Sequence, residues 1–80
     1  MKTFHLTITD IATALFEGEA RSLACTGASG DMVVLPGHMP LVTTLKPCDI
    51  RVADSDGTEH IFPAVRGMLE ITGHTVTLLL

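Results

Sequence analysis

Three side chains on one short stretch have the types a hydrolase would need. Ser29 is a hydroxyl, Asp31 a carboxylate and His38 an imidazole, so they could in principle act as nucleophile, orienting group and base. Such a triad also requires a pocket, an oxyanion site and a strained turn that exposes the nucleophile. The sequence has no Gly-x-Ser-x-Gly elbow, and an isolated loop histidine serves structure or solvation more often than catalysis. No catalytic residue is assigned. The 4 histidines (His5, His38, His60 and His74) and 2 cysteines raise the question of zinc. No two of them have the close spacing of a structural zinc site, so no metal is expected. The loop Gly27-Ala28-Ser29-Gly30 could cradle an anion, but the Lys-Ser/Thr pair and helix of a phosphate loop do not follow it. No cofactor is implied.

The elements that would position these residues are strands. Phe4, Leu6 and Ile8 alternate with His5, Thr7 and Thr9, the mark of a strand with one buried face. The same period of two recurs at Leu23/Cys25 and Ile50/Val52. Short β-rich runs at Met32–Leu35, Leu41–Leu45, Glu59–Val65, Met68–Ile71 and Val76–Leu80 complete the set. Turn signals separate them: Gly27–Gly30, Pro36-Gly37, Asp54-Ser55-Asp56-Gly57 and Thr72-Gly73-His74. Asp10–Glu17 reads either as a brief helix capped by Asp10 or as a turn followed by a strand around Leu15 and Phe16. Together these features predict one all-β domain over residues 1–80, a flattened antiparallel sandwich or barrel of roughly eight to ten short strands.

Composition bounds the function. Apolar residues make up 46% and charged residues 18%, the balance of a folded chain. With 80 residues the core is thin. A net charge of −4, 5 scattered Lys and Arg, and no Trp or Tyr leave neither a basic stripe for phosphates nor a platform for bases. Nucleic acid is therefore not an expected partner. No apolar run approaches the roughly 20 residues of a membrane helix, so no direct insertion is expected. Met1–His5 does not read as a signal peptide, which points to a cytosolic protein. Two cysteines are too few for a disulfide framework. Cys25 and Cys48 read as small buried residues, with a single bridge between them the less favoured alternative.

One segment carries a family resemblance. Gly30-Asp31-Met32-Val33-Val34-Leu35-Pro36-Gly37-His38-Met39-Pro40-Leu41 resembles the signature of the F-type ATP synthase epsilon subunit (delta in mitochondria), with its Pro-Gly-His-x-Pro-Leu. The similarity continues through Thr43-Thr44-Leu45-Lys46-Pro47, Ile50-Arg51, Gly67-Met68-Leu69-Glu70-Ile71 and Val76-Thr77-Leu78-Leu79, and begins near Phe4. Val33, Cys48 and Arg66 stand where the family usually has glycine, which implies locally altered turns. The family's C-terminal helical hairpin does not follow Leu80, so neither inhibition of hydrolysis nor nucleotide binding is expected.

The resemblance implies a non-catalytic central-stalk subunit, peripheral to the inner face of the cell membrane, that couples ion flow to ATP synthesis. Its partners would be the gamma subunit and the c-ring. Ser29, Gly30, Asp31 and His38 match the ring-facing loops, and Pro36, Gly37, Met39 and Pro40 the turn beside them. An acidic side chain at position 31 would pair with basic loops of the ring, although loop charges are commonly just solvated. The alternative function is a stand-alone binding module that self-associates through exposed edge strands.

Overall fold

The computed structural model describes residues 2–80, and all of their regular structure is strand. The strands are β1 (Phe4–Thr9), β2 (Ala14–Gly27), β3 (Gly30–Val34), β4 (Leu41–Leu45), β5 (Cys48–Asp54), β6 (Glu59–Ala64), β7 (Gly67–Thr72) and β8 (Thr75–Leu79). The alternating apolar positions face inward as their period requires: Phe4, Leu6 and Ile8 on β1 are all buried.

One long strand organises the rest. At ~3.3 Å per residue the 14 residues of β2 would extend about 46 Å, more than the 31 Å longest dimension of the domain. The strand must therefore bend, and its register with β5 shifts between Ala20 and Ser22, around Arg21. Before the bend β2 pairs with β1 (Phe4↔Ala20 through Ile8↔Phe16). Beyond it β3 lies on one edge (Cys25↔Met32) and β5 on the other (Leu23↔Val52). Two layers result: the first half of β2 with β1, β8, β7 and β4, and the second half with β3, β5 and β6. Leu6, Ile8, Leu69, Ile71, Val76 and Leu78 from the first layer form one buried cluster with Leu23, Cys25, Val34, Ile50 and Val52 from the second. Pro63 sits on β6, an edge strand, where a missing N–H costs no ladder bond.

One detail of the expected sandwich needs correction. The pairing is not wholly antiparallel, because β1 and β8 run parallel from His5↔Thr75 to Thr9↔Leu79. No described non-glycine residue has a positive φ. Val33 and Cys48 lie on strands. Between the two readings of Asp10–Glu17, the turn is found. The Asp10 carboxylate accepts the backbone N–H groups of Ala12 (2.8 Å) and Thr13 (2.7 Å), and Asp10 N donates to Thr13 O (3.0 Å). Asp10 thus closes a hairpin loop with the side-chain bond that would otherwise cap a helix.

Candidate functional site

The segment that carries the motif folds as turn, strand, turn. Ala28 and Ser29 form the β2–β3 turn, with Gly27 across from Gly30. Asp31 is exposed on β3, and its carboxylate accepts the hydroxyl of its cross-strand partner Thr26 at 2.8 Å. It is therefore a held carboxylate facing solvent. After β3, Leu35–His38 closes a turn in which His38 N donates to Leu35 O (3.1 Å) and Gly37 takes φ +85°. Pro at the second position and a left-handed glycine at the third define a type II turn, and glycine is required there. The His38 imidazole donates from Nδ1 to Met39 O at 2.7 Å, so this histidine pins its own loop.

The motif residues fall into separate neighbourhoods. Ser29, Gly30 and Asp31 line a shallow cleft of about 230 Å³ with Leu41 and Thr43 of β4. Pro36 and Gly37 line another of about 300 Å³ with Lys2, Thr3 and His74. His38, Met39 and Pro40 line neither, and β3 lies along the chain between the two turns. Among the described residues no hydrogen bond joins Ser29, Asp31 and His38, so a nucleophile–base pair is not assembled. No three described His, Cys, Asp or Glu side chains come together as a metal cluster.

Around this segment the surface is unusually apolar for exposed positions. Leu35 is 55% exposed, Met39 78% and Val42 62%. They lie before and within the start of β4, which pairs with β7 along its length and has one ladder pair with β2, Leu45↔Gly27. Most of the other edge of β4 is free.

Other polar groups are occupied structurally. Glu19 accepts the Thr3 hydroxyl (2.8 Å) and approaches His5 Nδ1 (3.2 Å). These two hydrogen bonds, Thr3 first, hold its carboxyl below the usual range. The His60 hydrogen bond at 2.8 Å does the same for Asp54, whose other oxygen accepts the amides of Asp56 and Thr58. His60 also packs edge-on against Phe16. The side chain of His60 is thus paired with Asp54 and packed on Phe16.

Both cysteines are free thiols. Burial, with a smaller contribution from Cys48, pushes the Cys25 thiol up to about 11. Cys48 Sγ accepts the Thr26 backbone N–H at 3.4 Å.

The whole arrangement is an all-β sandwich with the described polar side chains engaged locally and exposed apolar residues near a free strand edge. Residues 3–80 match the model of the ATP synthase delta/epsilon chain β-sandwich domain, and the chain belongs to that family. It is 37% identical over 79 residues to the ATP synthase epsilon chain of Delftia acidovorans, covering 99% of this chain and 57% of that protein. The Acinetobacter baylyi epsilon chain is 39% identical over 79 residues, with 99% and 57% covered. The chain thus spans little more than half the length of these relatives.

Among solved structures, the fold is similar to a chain of the Euglena gracilis mitochondrial ATP synthase, in a structure of OSCP/F1/c-ring in one rotational state. Its TM-score is 0.89, with 20% identity over 96% of this chain and 49% of that one. A chain of the Tetrahymena thermophila mitochondrial ATP synthase central stalk and c-ring gives a TM-score of 0.78 at 9% identity, over 94% of this chain and 60% of that one.

Proposed function

We propose that this chain is the sandwich domain of a non-catalytic central-stalk subunit of an F-type ATP synthase, helping couple ion flow through the membrane ring to ATP synthesis. Family membership supports the class. The observation that carries the surface assignment is the exposed apolar group Leu35, Met39 and Val42 beside the free edge of β4. Exposed apolar side chains along one short stretch of chain support a docking surface, and the gamma subunit is its occupant in this reading. The turn bearing Ser29, Gly30 and Asp31 then meets the polar loops of the c-ring, with Asp31 supplying negative charge. His38 braces the loop between the two surfaces, with Pro36, Gly37 and Pro40 setting its course. The domain works at the inner face of the cell membrane, on the cytoplasmic side, without entering the bilayer.

Co-purification with the gamma subunit from the same source tests this reading. The native chain forms a one-to-one complex that survives gel filtration. Met39→Glu and Val42→Glu, both at exposed positions, abolish the complex while leaving the fold intact. Asp31→Lys retains gamma and weakens assembly onto the ring. A well-folded native chain that fails to bind gamma at micromolar concentration overturns the assignment.

A second reading, a self-associating module, draws on another exposed apolar group. Met68 and Leu79 are cross-strand neighbours on β7 and β8, and Val65 is 80% exposed in the preceding turn. Sedimentation separates the readings, since a tight dimer that persists with gamma bound does not use the β4 surface.

A further inference from the structure

The outer edge of β4 presents backbone groups as well as side chains. Lys46 N, just past the strand, donates to Thr26 O, so the even-numbered residues here direct their backbone groups toward the β2 side. The β4–β7 register runs from Leu41↔Ile71 to Leu45↔Gly67 without a shift, so this alternation holds back to Val42. Val42 and Thr44 therefore turn their N–H groups away from β7. On that side β2 forms one ladder pair, Gly27↔Leu45, and then turns into β3 through Ala28 and Ser29. Thr44 O accepts the Thr43 hydroxyl at 3.2 Å. The N–H and C=O of Val42 and the N–H of Thr44 have no partner among the described residues.

The other free edges are blunted and this one is not. β6 carries Glu59 and Pro63, and β3 carries Asp31. β4 contains no charge, proline or bulge, and Val42, Thr43 and Thr44 are β-branched. An edge of that composition is a template for a further strand.

We propose that the gamma subunit docks here by strand addition, an uncharged extended segment pairing its backbone with β4 at Val42 and Thr44. This rests on the assignment of gamma to the β4 surface and specifies the chemistry of the contact. In such pairing the main-chain bonds supply affinity and alternate side chains supply specificity. Val42, 62% exposed, meets the alternate apolar side chains of the incoming strand. A docked helix has its backbone bonds made internally and leaves those of β4 unpaired, so a strand is the element that fits.

The test is residue-resolved hydrogen exchange of the native chain, free and in complex with purified gamma subunit. In the free chain the Val42 and Thr44 amides exchange quickly, whereas those of Thr43 and Leu45, bonded to β7, are protected. In the complex the first two slow by about tenfold or more. Val42→Pro deletes one N–H and spares the β7 ladder, as Pro63 does on β6; it weakens gamma binding by about tenfold or more, with Tm within a few degrees of native. Val42→Thr keeps the N–H and the branched shape, and it binds more tightly than the proline variant. A complex in which both amides exchange as in the free chain overturns strand addition and leaves the gamma assignment standing, while absence of any complex overturns both. Protection that arises between copies of this chain without gamma also overturns the proposal. Should Val42→Pro unfold, exchange in the native complex alone decides.

Discussion

Replacing Gly67 by alanine tests the closure of the first layer, and Gly18→Ala supplies its internal control. A Cβ at Gly67 would stand 2.7 Å from Leu79 O, 2.9 Å from Leu80 Cδ2 and 3.2 Å from Leu45 Cδ1. The leucine side chains can shift, but the carbonyl cannot rotate away, because β8 is held by ladders to both β7 and β1. Relief requires the β7–β8 pairing to part, and overpacking of this kind costs about 1–3 kcal/mol. The reduced freedom of the unfolded chain returns about 0.4–1 kcal/mol, so a net loss of about 1–2 kcal/mol remains.

For a domain of this size each kcal/mol moves Tm by about 4–8 °C, which puts the fall at roughly 5–15 °C. At Gly18 nothing lies within 4 Å of the new Cβ. The same substitution there retains only the unfolded-state gain, so Tm rises by a few degrees. Thermal unfolding followed by far-UV circular dichroism, with urea midpoints at unchanged slope, measures both. Gly67→Ala melting at or above Gly18→Ala refutes the argument that backbone approach, rather than turn conformation, requires glycine at 67.

Three further outcomes are expected. Asp54, lowered chiefly by the His60 hydrogen bond, contributes stability above the usual aspartate value and loses it as pH falls through its lower folded value; urea midpoints across the acid limb will fall less steeply in Asp54→Asn, and parallel profiles would contradict this. Arg21 donates from its guanidinium to Ser55 O at 2.8 Å, binding the bend of β2 to the β5–β6 hairpin. Arg21→Ala will cost about 1–2 kcal/mol and speed hydrogen exchange at the hairpin amides, notably Gly57 and Thr58. Cys48, half-buried, will be alkylated well before Cys25, which is 4% exposed, and mass spectrometry of the singly labelled chain reads the order.

Much of this architecture is legible in local residue order because strand period and turn chemistry are local. The alternation at Phe4–Ile8 becomes β1, and Asp54–Gly57 becomes a three-residue hairpin loop in which Asp54 N donates to Thr58 O and Gly57 takes the left-handed position. What local order conceals is set by distant partners. The first half of β2, Ala14–Glu19, contains glutamates and a glycine that no strand pattern favours, and it is held as a strand by pairing with β1. The parallel β1–β8 ladder joins the two ends of the sequence, a contact that no window of neighbouring residues contains. The Pro-Gly-His turn was readable as a turn. Its separation from the Ser29–Asp31 cleft was not, since that depends on where β4 returns to the sheet. Exposure at Met39 and Val42 was equally hidden, because an apolar residue on a strand does not declare which side water occupies.

The parallel pairing of β1 with β8 also has a mechanical meaning. Because the two strands run the same way, the first residue of β1 and the last of β8 lie at opposite ends of the shared ladder. A pull on Phe4 against Leu79 therefore acts along the strands and loads the whole ladder, including the flanking bonds His5 N to His74 O and Leu80 N to Thr9 O, both 2.8 Å. An antiparallel closure would have peeled open one bond at a time under the same pull. Tension along the chain meets shear resistance, so the domain should yield late and all at once, as a stiff element rather than a compliant one.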